Sequence, residues 1–181
     1  MATLSGLSKD GTHKVRVTPY GQLKVLSTAV PRLAERALAG EAYSWSNVSY
    51  DYVAANTVFC LENNHADKLL VVDRLHLYGD VATKVIVHLL TSVAVDGTAI
   101  SGVSLNRNSG RVPRATSTAN ETTNTAANVV VNFYIAAGGQ SALLDLKGSV
   151  VLDNDTFLGV DYTTEGAVTN VTAFGHFIDK E

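Results

Sequence analysis

Eight short runs rich in Val, Leu, Ile and Phe follow one another from Thr57 to Ile178, spanning 57–62, 69–78, 83–90, 97–105, 128–136, 141–152, 156–162 and 168–178. Turn residues punctuate them: Asn63-Asn64, Gly79-Asp80, Asp96-Gly97, Gly138-Gly139, Asp153-Asn154 and Glu165-Gly166. Side chains alternate faces along a strand, so Val129, Val131, Phe133 and Ile135 share one face of their run. Val171, Ala173 and Phe177 oppose Val168, Phe174 and Ile178, which covers both faces of the last run. No helical pattern alternates with these runs, which excludes a parallel α/β sheet. The expected fold is all-β, an antiparallel jelly-roll-like β-sandwich preceded by an N-terminal arm containing one short helix. An immunoglobulin-like sandwich is the other topology, but its Cys…Trp…Cys spacing is absent, because Cys60 is alone.

The run 43–53, YSWSNVSYDYV, puts Tyr43, Trp45 and Asn47 on one face and Val48, Tyr50 and Tyr52 on the other. That change of phase predicts a bulge near Asn47. Tyr43, Trp45, Tyr50 and Tyr52 form an aromatic cluster suited to core or interface packing, and less to stacking on a sugar.

Residues 106–128 break the strand pattern. Twelve of these 23 residues are Ser, Thr or Asn, and three are Arg: Arg107, Arg111 and Arg114. A segment so poor in large apolar residues is expected to be a long loop fixed by something outside itself. The arginines then read as carboxylate clamps at an inter-subunit contact, since only Glu121 is available locally to pair with them.

The chain divides by charge as well. Residues 1–40 carry six basic side chains against two acids, whereas 41–181 carry eight against fifteen. A basic arm on an acidic body suits attachment to an acidic surface, with Lys14, Arg16, Lys24, Arg32 and Arg36 as the contact residues. Within that arm residues 1–12 are small and polar and expected to be mobile. Lys14–Thr18 and Gln22–Leu26 flank Pro19-Tyr20-Gly21 and predict a hairpin. Residues 31–39, PRLAERALA, predict a two-turn helix with Leu33, Ala37 and Leu38 on one face and Gly40 after its end. The expected division is thus an anchoring arm over 1–40 and a body over 41–181.

No motif dictates a chemistry. His13, His65, His76, His88 and His176 lack metal-ligand spacing, although His76 and His88 lie in neighbouring runs and could meet across a sheet. The Asp153-Asn154-Asp155 turn lacks the glycine and distal glutamate of a calcium loop. No nucleophile elbow, phosphate loop or dinucleotide fingerprint is present. The expectation is a protein without metal, cofactor or catalytic residues. The N-terminal MATLSGLSKDG has no apolar core, and no run reaches 18 apolar residues, so synthesis in a cytoplasm and no membrane contact are expected.

Several stretches resemble virion structural proteins of tailed bacteriophages, of decoration (cement) or head-accessory type. They are KVRVTPYGQLKV (14–25), GTAISGVSLNRNSG (97–110), NETTNT (120–125) and GSVVLDNDTFLGVDYTTEGA (148–167). The resemblance rests on strands and turns, and no catalytic residue comes with it. It implies a jelly-roll-like domain, trimeric, mounted on the major capsid protein or another virion protein, with no nucleic-acid partner. A receptor- or carbohydrate-binding module of a tail or head fibre is the alternative, and a hydrolase with paired carboxylates is the least supported.

Overall fold

The computed structural model describes the backbone of residues 3–8, 11–17, 23–26, 32–52, 56–93, 96–122, 124–136 and 139–180. Two compact units result, Met1–Pro31 and Arg32–Glu181. The first is a three-stranded antiparallel sheet of β1 (Thr3–Ser8), β2 (Gly11–Val17) and β3 (Leu23–Leu26), in that order. The expected hairpin is present, with Val15 opposite Val25 and Arg16 opposite Lys24. Residues 3–8, expected to be mobile, instead form β1, with Leu4 opposite Val15.

The helix α1 (Arg32–Leu38) forms where the Pro and Gly signals place it, but it belongs to the second unit and not to the arm. Its end is a Schellman cap: Gly40 donates to the Ala37 carbonyl and Glu41 to the Arg36 carbonyl, with Gly40 at φ 73°. Leu38, expected on the packed face, is 80% exposed, while Leu33 and Ala37 are half-buried.

The body is a sandwich of two antiparallel sheets. Its eight long strands are β4 (Ala42–Tyr52), β5 (Thr57–Asn63), β6 (Lys68–Gly79), β7 (Thr83–Val93), β11 (Asn124–Ile135), β12 (Gln140–Leu152), β13 (Phe157–Tyr162) and β14 (Gly166–Asp179). The first pairs with the last, the second with the seventh, the third with the sixth and the fourth with the fifth. That is one long hairpin wrapped on itself, the jelly-roll order. The wrapping brings β13 beside β7 and β14 beside β6. One sheet therefore contains β11-β7-β13-β5 and the other β12-β6-β14-β4. His76 and His88, which could have met across one sheet, sit in different sheets.

Between the sheets lie Phe59 and Leu61, Leu70, Val72, Leu75 and Leu77, Val85 and Val87, Leu158, Val160 and Tyr162, and Val171, Ala173 and Phe177. Their alternation is why the periodic runs became strands: each removes one face from water. Opposite Asn47 the register of β14 slips between Thr169 and Val171, which is the expected bulge.

The tip of the long hairpin holds β8 (Thr98–Ile100), β9 (Val103–Ser104) and β10 (Ala115–Ala119). Beyond β5 the first sheet continues with β10 and then β8, and beyond β4 the second ends in β9. The run 97–105, expected as one strand, breaks at Ser101-Gly102 because β8 joins one sheet and β9 the other. The long loop 106–128 is likewise shorter than expected. Residues 115–119 form β10 against β5, and β11 starts at Asn124. Small Ser and Thr side chains allow this edge to be buried: Ser117 and Thr118 are 2% and 4% exposed, and Ser117 Oγ donates to the Cys60 carbonyl at 2.9 Å.

Gly102 is where the chain crosses over Trp45. A Cβ there would lie 2.4 Å from Trp45 Nε1 and 2.5 Å from Pro113 Cγ. Gly102→Ala is expected to cost about 1–3 kcal/mol by overpacking, measurable as a shift of the urea midpoint.

Candidate functional site

The Schellman cap of α1 turns the chain so that Glu41 enters the body as the residue before β4. Its backbone carbonyl accepts from Phe177 N–H at 2.9 Å. Its carboxylate takes three cations. Arg36 Nη1 lies 3.2 Å from Oε2, Arg111 Nη1 lies 3.2 Å from Oε1, and Lys68 Nζ also bonds Oε1. Lys68 reaches Asp179 as well, at 3.4 Å. Burial opposes the Lys68 charge, but its bonds to Glu41 and Asp179 outweigh this and hold the ammonium above its ordinary pKa.

Around this carboxylate lies an open cavity of about 330 Å³. Tyr43 and Phe177 form its floor, His65 and Lys68 one side, and Arg111, Val112 and Arg114 the other. Tyr43 Oη donates to the Gly40 carbonyl at 2.9 Å, and its ring meets Phe177 edge-on at 5.8 Å. Both rings are nearly fully buried and leave little aromatic surface open to the cavity. His65 is placed by a turn in which Asn63 Oδ1 accepts its backbone N–H at 2.9 Å. Beside this cavity a shallower depression of about 540 Å³ is lined by Val103, Ser104, Asn106, Arg107, Gly110 and Arg111. The structure thus gathers the three loop arginines on one surface.

Local bonds shape the loop that carries them. Leu105 N–H donates to the Ala42 carbonyl at 2.9 Å, Asn106 Nδ2 to the Leu38 carbonyl at 3.3 Å, and Arg111 N–H to Ser109 Oγ at 3.3 Å. Asn64 N–H closes the far end on the Arg114 carbonyl at 3.1 Å. The body itself supplies these bonds to the segment. Glu121 does not serve the arginines either. It is fully buried, its backbone pairs with Thr57, and its Oε2 accepts the Asp96 N–H at 3.1 Å. Arg111 instead finds Glu41, 70 positions away in sequence.

Of the expected arm contacts, Lys14 and Arg16 lie on β2 and Lys24 on β3, with Arg16 opposite Lys24 in the register. The side chains of that sheet lie outside the described residues. Arg32 is exposed, while Arg36 is committed to Glu41. In the aromatic cluster, Tyr43 and Trp45 take the core alternative and not the interface one, being 3% and 0% exposed. The side chains of Tyr50 and Tyr52 lie outside the described residues.

One further cluster carries nucleophile and base chemistry types. Gly159 on β13 stands between Cys60 and His88 in the register. His88 Nε2 passes over that glycine to within 3.1 Å of Asp161 Oδ2, poorly aligned for a hydrogen bond, and Thr57 Oγ1 donates to Asp161 Oδ1 at 2.7 Å. Burial drives the Cys60 thiol far up, and Glu121, Glu62 and Asp161 add to it. A thiol held neutral in this way is not a nucleophile. Cys60 is the buried small hydrophobe that its run suggested.

The turn Asp153–Thr156 is closed by its own bonds, with Asn154 N–H on Asp153 Oδ1 at 2.6 Å and Thr156 Oγ1 on the Asp153 carbonyl at 2.8 Å. Lys180 pairs with Asp153 at 2.5 Å, and this bond holds that carboxyl below its ordinary pKa. Among the described residues no helix is long and apolar enough to cross a membrane.

A second surface feature comes from the sheet edges. One flank ends in the short β8 and β9, and the other in the long β11 and β12. The long edges carry Val129 (57% exposed), Val130 (40%), Tyr134 (78%), Leu143 (63%) and Val151 (46%). Val130 falls where the register of β11 against β7 slips, between Val129 and Val131. No family model, no curated protein and no solved structure matches this chain significantly.

Proposed function

We propose that this chain is a non-enzymatic structural protein of a phage virion, a decoration protein whose bodies pack side by side while the N-terminal unit anchors them to the shell protein. The observation that carries the reading is the β11–β12 flank. Among the described residues two long edge strands expose apolar side chains, Val129, Val130 and Tyr134 on β11 and Leu143 and Val151 on β12, where Asp145 and Lys147 stand between the last two. Natural proteins cover such apolar edges with a partner or blunt them. A second copy supplies edges of the same kind, and a closed ring of copies would satisfy all of them. The resemblance to decoration proteins implies an order of three and a position on a capsid. The excess of basic side chains in residues 1–40, Lys14, Arg16 and Lys24 among them, suits an acidic shell surface.

Sedimentation equilibrium tests the packing. Wild type is expected at three times its 19.2 kDa monomer mass. Val130→Lys with Tyr134→Lys, a device that blunts edges, is expected to weaken association about a hundredfold without unfolding the body. A monomeric wild type at about 100 μM would remove the packing claim. Emptied capsids mixed with a chain starting at Arg32 test the anchor: binding equal to that of the full chain would remove it. The carbohydrate-binding alternative loses its two best-placed aromatics, because Tyr43 and Trp45 are buried.

A further inference from the structure

The surface around Glu41 has an imbalance that its own residues do not resolve. The body holds eight basic side chains, and four of them, Lys68, Arg107, Arg111 and Arg114, gather here. Arg36 joins them from α1. The acids available are Glu41 and Asp179. Among the described residues, Arg107 and Arg114 have no ion-pair partner. The rest of the body carries the excess of acid, so this is a basic patch on an acidic unit.

The same surface also exposes apolar side chains: Val112 is 80% exposed and Val103 61%. Val112 lines the deeper cavity and Val103 the shallower one, and Arg111 borders both. The result is a track of two adjoining hollows, with arginines and apolar side chains interspersed along it. Guanidinium groups favour bidentate pairing with carboxylates, and isolated apolar side chains beside them favour a ligand that carries both groups. A sugar needs an exposed aromatic face, which Tyr43 and Phe177 do not offer.

We propose that this track is a docking site for an acidic, leucine-bearing segment of a second protein, its carboxylates received by Arg114, Arg111 and Arg107 and its apolar side chains by Val112 and Val103. The site lies apart from the β11–β12 flank and does not depend on self-association there. Glu41 holds Arg111 and Lys68 in place, so the cations are positioned before the segment arrives and less order is lost on binding.

The test uses the full chain and a fluorescein-labelled, end-capped octapeptide alternating Glu and Leu, followed by anisotropy at about 50 mM salt, where charge pairing is weakly screened. Saturable binding is expected, at least about tenfold weaker for the Gln-Leu twin and for Arg114→Ala. Arg114→Ala is the clean variant, because among the described residues it breaks no ion pair, and it should leave the melting temperature unchanged. Amide shifts on titration should fall on 103–114 and 38–43. No saturable binding, equal affinity of the Gln-Leu twin, or indifference to Arg114→Ala would overturn the site. Trigalacturonate binding as tightly as the peptide would assign it to an acidic sugar and overturn the peptide claim. Sedimentation of Arg114→Ala separates the two readings: its oligomer should match the wild type, whereas Val130→Lys with Tyr134→Lys should associate about a hundredfold more weakly and keep the peptide.

Discussion

A Trp45→Ala chain is expected to lose about 3–5 kcal/mol of stability. Trp45 is fully buried on β4, its ring 6.0 Å from that of Tyr43, with Gly102 and Pro113 packed over it. Removing the indole opens a cavity that the crossover at Gly102 cannot fill, because that segment is tied to β4 through Leu105 N–H on Ala42. The indole Nε1 has no hydrogen-bond partner, so Trp45→Phe should cost much less, about 1–2 kcal/mol, the lost volume being partly offset by removal of an unsatisfied donor. Urea unfolding followed by far-ultraviolet circular dichroism measures both, since Trp45 is the only tryptophan and its fluorescence goes with it. A loss below about 1 kcal/mol for Trp45→Ala would mean that the site relaxes and the core is not built on this ring.

The strands were legible in the sequence wherever period-two alternation was carried by large side chains. Val129–Ile135 and Val168–Ile178 are examples, each bounded by Gly or Asn turns. The strand β10 was not legible, because ATSTA buries small polar side chains whose partners lie on β5, more than 50 residues back. Trp45 and Tyr43 show the opposite error. Aromatic residues with a polar tip suit either core or interface, and only the closing of β4 under the crossover decides between them. The cap at Gly40 could be read from the sequence, but its consequence could not. Glu41 gains its role from Lys68 and Arg111, which are local to nothing near it. The three loop arginines were visible as a group, whereas the carboxylate that receives one of them required the fold.

The bulge at Asn47 sets up the second large effect. Asn47 is 1% exposed, and its amide stitches three strands: Nδ2 donates to the Val58 carbonyl on β5 at 3.1 Å, and Oδ1 accepts the Val171 N–H of β14. The register of β14 against β4 slips between Thr169 and Val171, and that of β13 against β5 slips at Val58, so the side chain meets one backbone group at each irregularity. Asn47→Ala leaves a buried donor and a buried acceptor unpaired, each at about 1–3 kcal/mol, so a loss of about 2–5 kcal/mol is expected. Asn47→Asp separates hydrogen bonding from shape. Its ionised form accepts from Val171 but repels the Val58 carbonyl, whereas its protonated form can serve both groups. Burial raises the pKa of such an acid in the folded chain, so the folded state binds more protons and the variant's stability should rise as pH falls from about 7 toward about 5. Wild type carries no titratable group at this position and should lack this term. A pH-independent difference in urea midpoint between Asn47→Asp and wild type over that range would show that the side chain of Asn47 does not bridge β5 and β14.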